Sequence, residues 1–152
     1  MSRERRAVLA FAAMKHRFTF AALLLAGACS AGAATPASPD YSGVYDCKGV
    51  DKSEGPYTAT VNLDAVPAQS ENGWRSYNFK MDVPGYGIYR GQAVSRGNQL
   101  AIHFALDDPG PKDFGTGLAT VSTRGGRTTY TKFYYEPEFK GGNHGTETCM
   151  RR

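Results

Sequence analysis

Two cysteines restrict this chain more than any other feature. Cys47 lies in the first of a series of short strand-like runs and Cys149 in the last, about a hundred residues later. Between them the sequence alternates apolar and polar residues in brief segments broken by Gly, Pro, Asn and Asp. Such alternation marks half-buried strands, and the frequent breakers leave no room for a long helix. The expected strands are Ser42 to Lys48, Tyr57 to Val66, Trp74 to Val83, Ile88 to Ser95, Gln99 to Leu106, Gly115 to Thr123, Arg127 to Glu136 and Gly145 to Met150. Eight consecutive strands joined by short links predict an all-β, antiparallel up-and-down meander. A meander of that size has two open edges, and closure into a barrel removes both. Closure sets the first strand beside the eighth, the two that carry Cys47 and Cys149. A disulfide needs Cα atoms within about 7 Å, so topology and cysteines point to one disulfide-closed barrel.

The inward faces follow from the alternation. Tyr57, Ala59, Val61 and Leu63 share one face of the second run, and Tyr77, Phe79, Met81 and Val83 one face of the third. Leu100, Ile102, Phe104 and Leu106 form the cleanest apolar face in the chain. Gly97-Asn98 and Gly125-Gly126 read as two-residue hairpins, and Asn72-Gly73 as a further turn signal. Gly91, Ala93, Gly117 and Ala119 are small residues on middle strands. They either make room for a ligand or let large neighbours fill the centre.

The third cysteine, Cys29, belongs to a different part of the chain. Residues 1–34 have the form of a secretory signal peptide: Lys15, His16 and Arg17 as a basic region, Phe18 to Ala26 as an apolar region, and Ala31-Gly32-Ala33 as a cleavage motif. Met14 is an alternative start. The apolar run is too short for a spanning helix, and no integral membrane span is expected. Leu25-Ala26-Gly27-Ala28-Cys29 also resembles a bacterial lipoprotein box, with Ala26 where that pattern has a large aliphatic residue. The chain is therefore expected to be periplasmic or secreted, with lipid anchoring through Cys29 as the alternative. Residues 35–40 read as a disordered Pro, Ala and Ser linker, and 41–152 as a single barrel domain.

Setting the leader aside changes the charge. The 18 Lys and Arg fall to 13 without Arg3, Arg5, Arg6, Lys15 and Arg17, and the 14 acids fall to 13 without Glu4. A formally neutral domain with no basic stripe argues against nucleic acid as a partner.

The strand order resembles the calycin group, the lipocalin and avidin-like secreted barrels. Ser42-Gly43-Val44-Tyr45 is similar to the opening Gly-x-Trp of that group, with Tyr45 in the place of tryptophan. The resemblance implies a barrel that holds a ligand.

In an up-and-down barrel alternate connections fall at opposite ends. Gly49 to Pro56, Pro84 to Gly87, Asp107 to Phe114 and Glu136 to Asn143 share one end; Pro67 to Gly73 and the two tight hairpins share the other. Longer loops on a rigid scaffold are where binding residues are carried. The candidate ligand- or partner-binding residues are therefore Tyr86, Asp107, Asp108, Lys112, Asp113, Phe114, Glu138, Phe139, Lys140 and His144. The acids from Asp107 to Asp113 lack the spacing of an EF-hand, and His144 with Glu147 lacks a third ligand, so no metal or other cofactor is expected. Tyr130, Phe133, Tyr134 and Tyr135 cover both faces of the seventh run; one set is core, and the other, with Tyr89 and Trp74, is a candidate exposed patch. No Gly-x-Ser-x-Gly elbow, phosphate loop or His-Glu-x-x-His occurs, so no catalytic residue is assigned. Two readings stay open. One is a binding module for a small apolar molecule; the other is a solid barrel whose loops bind an envelope or host protein, for example as an enzyme inhibitor. The oligomeric state is not readable from the sequence.

Overall fold

The computed structural model describes residues 38–152. The leader, its cleavage motif, Met14 and Cys29 lie outside the described residues. Eight strands follow one another: β1 Gly43–Asp51, β2 Gly55–Ala65, β3 Arg75–Val83, β4 Gly87–Arg96, β5 Gln99–Leu106, β6 Phe114–Arg124, β7 Arg127–Glu136 and β8 Asn143–Arg151. Each pairs antiparallel with the next, and β8 returns to β1, so the sheet is a closed barrel in sequence order. Two single-turn 3-10 segments, Pro67–Gln69 and Phe139–Gly141, are its only helical pieces among the described residues.

The predicted bond lies in the closing seam, a seven-pair ladder between β1 and β8. Cys47 and Cys149 are direct partners in the β1–β8 register, joined by a disulfide with Cα atoms 4.0 Å apart. The loop it ties spans 102 residues. Removing that much chain entropy from the unfolded state stabilises the fold by about 4–5 kcal/mol, less any native strain.

Alternation sets the interior. Inward positions on β2, β3 and β5 are those expected, and Val61, Leu63, Tyr77, Phe79, Leu100, Ile102 and Phe104 are all buried. On β7 Tyr130 and Tyr134 point in, whereas Phe133 and Tyr135 are exposed. Tyr89, expected on an outer aromatic patch with Trp74, lies instead in the core. Its strand carries few large apolar residues, so alternation alone left its facing open.

The small residues have a clear use. A Cβ on Gly117 would sit 2.8 Å from Cδ of Lys132. The position is small because the aliphatic stem of an inward lysine crosses it, so the space is filled. Toward the tight-turn end Tyr41, Tyr45, Tyr77, Ser95 and Leu100 are all buried. Gly125 and Gly126 both have positive φ, 56° and 74°, as a type I′ hairpin requires. Asn72-Gly73 turns a small bridge between Glu71 and Trp74 within the β2–β3 connection.

Ser38 to Asp40 were expected to belong to a disordered linker. They lie across the tight-turn end with Tyr41. Ser38 and Tyr41 are buried. The Tyr41 N–H donates to the Tyr77 hydroxyl at 3.2 Å, the Tyr41 hydroxyl donates to Gly97 O at 2.8 Å, and Arg75 Nε donates to Ser38 O at 2.7 Å. Composition missed this because a single tyrosine supplies most of the anchoring. No helix among the described residues is long and apolar enough to cross a membrane.

Candidate functional site

The opposite end of the barrel carries polar groups inside. The parity that turns Cys47 and Cys149 inward also turns in Asp51 on β1 and Asn143 and Glu147 on β8. On β7 the same face carries Lys132 and Glu136 beside Tyr130 and Tyr134. All five of these charged or amide side chains are buried.

Deepest is an ion pair. Lys132 Nζ lies 3.1 Å from Glu147 Oε1, with side-chain exposures of 1% and 0%. The ammonium also sits 5.3 to 5.6 Å from the ring centres of Tyr134, Phe104 and Phe79, within range of a cation–π attraction. The Tyr57 hydroxyl donates to Glu147 Oε2 at 2.8 Å. A Cβ on Gly49 would meet the Tyr57 ring at 2.3 Å, so the glycine lets this ring lie against β1. Burial, followed by the neighbouring Glu147, pushes the Tyr57 hydroxyl well above its ordinary range and keeps it a donor.

Nearer the mouth, three carboxyl groups meet different fates. Asp51 is fully used. Its Oδ1 accepts the N–H groups of Ser53 and Glu54 at 2.7 and 2.9 Å, and its Oδ2 accepts the Tyr134 hydroxyl at 2.8 Å and the Asn143 amide at 2.6 Å. Burial alone would raise its pKa, but these donors together hold it below the usual carboxylate value. The second hydrogen of the Asn143 amide goes to Glu136 Oε2 at 2.6 Å. Glu136 is raised to about 7, first by burial and then, against the Asn143 bond, by the negative charges of Asp113 and Asp51. Asp113 is half used. Its Oδ2 accepts the Tyr89 and Tyr86 hydroxyls at 2.7 and 3.1 Å, while its Oδ1 is buried with no hydrogen-bond partner.

These groups border a cavity of about 70 Å³, whose walls include Tyr57, Met81, Tyr86, Tyr89, Phe104, Asp113, Tyr134, Glu136 and Phe139. Its volume corresponds to about five water-sized positions. Phe104 stands edge-on to both Tyr89 and Tyr134, at 5.9 Å between centres in each case, and fixes the aromatic wall.

Of the residues picked from loop position, Tyr86, Asp113 and Phe139 line the cavity. The others form the rim or face away from it. Asp107 pairs with Arg90 at 3.0 Å, and Asp108 accepts the Gly110 N–H, shaping its own turn. Lys112 pairs with Glu138 at 3.1 Å, and Lys140 pairs with Glu54, so exposed ion pairs link the β5–β6, β7–β8 and β1–β2 connections. Such pairs contribute at most about 1 kcal/mol each. Lys112 and Lys140 also hold left-handed backbone, with φ of 54° and 48°. Phe114 is on the outward parity of β6. His144 faces out, 6.0 Å from the Phe133 ring centre, while Glu147 faces in, so those two never converge. Among the described residues the one grouping with metal-ligand proximity is Cys47, Glu147 and Cys149, and both of its sulfurs are in the disulfide.

The cavity lies at the end where the longer loops gather, and most of its lining comes from strands. Asp51, Tyr57, Tyr89, Lys132, Tyr134, Glu136, Asn143 and Glu147 all come from strand interiors or strand ends. A signal existed for three of them: counting by twos from Cys47 reaches Asp51, from Cys149 reaches Glu147 and Asn143, and a charged residue on an inward parity is uncommon unless it is paired or functional. Comparison with protein-family models, curated proteins and solved structures finds no match for this chain. The geometry of the site is therefore what its function has to be argued from.

Proposed function

We propose that this chain is an exported binding module whose barrel mouth holds a small organic molecule. The observation that carries the reading is Asp113. A buried carboxylate oxygen without a donor costs free energy, and this one borders a cavity large enough for a ligand group to supply the donor. The filled opposite end and the disulfide provide the rigid scaffold that such a site needs. The up-and-down strand order, shared with the calycin-like barrels that the sequence resembles, supports a holding role. The disulfide supports an oxidising compartment. The sequence pointed to an apolar ligand; the lining favours a molecule with an apolar body and a polar end.

Native mass spectrometry of the protein purified from its own periplasm, before and after denaturation, tests the reading. A small molecule released on denaturation, or a thermal shift from a member of a metabolite library, is the expected result. Neither being seen would reject it. One observation favours the interaction-protein alternative: Val94, Leu118 and Phe133 are exposed on the outer wall, with Leu118 and Phe133 directly paired across β6 and β7. Under that reading, substituting these three residues abolishes capture of an envelope protein, and Asp113→Asn does not.

A further inference from the structure

The hydrogen-bonding balance of the cavity is one-sided. Every tyrosine hydroxyl at the site already donates to a carboxylate: Tyr86 and Tyr89 to Asp113, Tyr134 to Asp51, Tyr57 to Glu147. Both hydrogens of the Asn143 amide are used too. With Glu136 ionised, the Asp113 Oδ1 atom is left as a free acceptor on a residue only 4% exposed, while the remaining Lys132 N–H groups point among the Phe79, Phe104 and Tyr134 rings. The charge balance leans the same way. Lys132 is the one cation on the cavity wall, and it is neutralised by Glu147 and covered by three rings. Among the described residues no Lys, Arg or His forms an ion pair with Asp51, Asp113 or Glu136.

We propose that the mouth cavity takes a small organic ammonium ion, its N–H groups donating to Asp113 Oδ1 and its short apolar body lying along Phe104, Tyr89 and Met81. The inference rests on the binding reading above and names its ligand class. An ammonium brings three donors to the unpartnered Asp113 oxygen and a positive charge to a site with uncompensated negative charge. Aromatic faces around the cavity favour a cation as well. A carboxylate ligand would meet the repulsive field of Asp51 and Asp113, with the one cation on the wall already neutralised by Glu147. A neutral alcohol would satisfy the Asp113 oxygen with one weaker hydrogen bond and leave the charge unbalanced. An inorganic cation would leave the apolar wall uncovered.

The test is a two-dimensional amide NMR titration of the intact disulfide-bonded protein with n-butylammonium chloride, matched against 1-butanol, sodium butyrate and sodium chloride. Titration runs to about 50 mM, well above the roughly millimolar dissociation constant expected for so small a ligand. Saturable shifts confined to the mouth strands are expected with n-butylammonium alone. Asp113→Asn keeps an acceptor oxygen for Tyr89 but removes the charge, and is expected to weaken binding at least about tenfold. Glu136→Gln serves as a second variant with a smaller loss in the same direction, so an unfolded Asp113→Asn protein does not end the test. Equal binding of 1-butanol or butyrate, or an unchanged dissociation constant in both variants, overturns the ammonium assignment and leaves the binding reading standing. No response at the mouth to any of the four overturns the ammonium assignment; if native mass spectrometry also finds a bare chain, the binding reading falls with it.

Discussion

Replacing Lys132 by methionine tests whether the barrel interior depends on its buried ion pair. Methionine keeps the length of the stem that crosses Gly117 and removes only the charge. At 3.1 Å and an effective dielectric of about 20, the Lys132–Glu147 attraction is about 5 kcal/mol. Most of that offsets the cost of taking both charges out of water, so the pair adds little net stability. Breaking it is another matter, because Glu147 is then left 0% exposed with the Tyr57 hydroxyl as its main donor. A loss of about 3–5 kcal/mol is expected for Lys132→Met. In urea this moves the unfolding midpoint down by roughly 2–3 M for a domain of this size. The double variant Lys132→Met, Glu147→Gln removes both charges and is expected to recover most of the loss. A Lys132→Met protein less than about 1 kcal/mol below wild type, or a double variant no better than the single, would refute the argument that a charge is held dry inside the barrel.

Other outcomes follow from the same interior. Glu136 is raised to about 7 from an ordinary glutamate value, with Asp51, Asp113, Asn143 and Lys132 as its charged or polar neighbours. The folded protein therefore binds more protons than the unfolded chain between about pH 4.5 and 7, and stability from this group falls as pH rises through that window. Glu136→Gln is expected to flatten the fall by on the order of 1–2 kcal/mol, after allowing for solvent screening at the mouth; an unchanged pH profile in thermal unfolding counts against the assignment. Reducing the Cys47–Cys149 bond, or replacing both cysteines by alanine, is expected to cost about 3–5 kcal/mol in chemical denaturation, and a loss below about 1 kcal/mol would mean that strand pairing alone closes the barrel. Gly49→Ala drives a Cβ to within 2.3 Å of the Tyr57 ring. It is expected to cost about 1–3 kcal/mol by overpacking and to displace Tyr57 from Glu147, which ultraviolet absorbance of the buried tyrosines would register; an unperturbed spectrum and stability would show that the ring has room to move.

The aliphatic faces of β2, β3 and β5 were legible because they alternate cleanly over four inward residues each. The glycine hairpins were legible because two-residue turns demand positive φ. The site was legible only in location. Tyr86, Asp113 and Phe139 sit in or beside loops long enough to attract notice, whereas Asp51, Lys132, Glu136 and Glu147 look in one dimension like ordinary charged residues of amphipathic strands. Their inward direction depends on a parity that the cysteines announce for β1 and β8 but that nothing in β7 announces, because its aromatic residues occupy both faces.

From the sequence alone came the strand count, the meander order, the disulfide and the end of the barrel at which loops gather. Each of these is a local or pairwise property: a period of two, a turn residue, two thiols that have to meet. Tertiary structure decided what the barrel encloses. Whether eight inward faces leave a hollow depends on how their side chains share one volume, and here Lys132 fills the space over Gly117 while Tyr86, Tyr89 and Glu136 stop short of closing the mouth. The donors that silence Asp51 and the missing donor at Asp113 arise from five different strands and loops brought within 3 Å or so of one another. No pattern along a single strand encodes that difference.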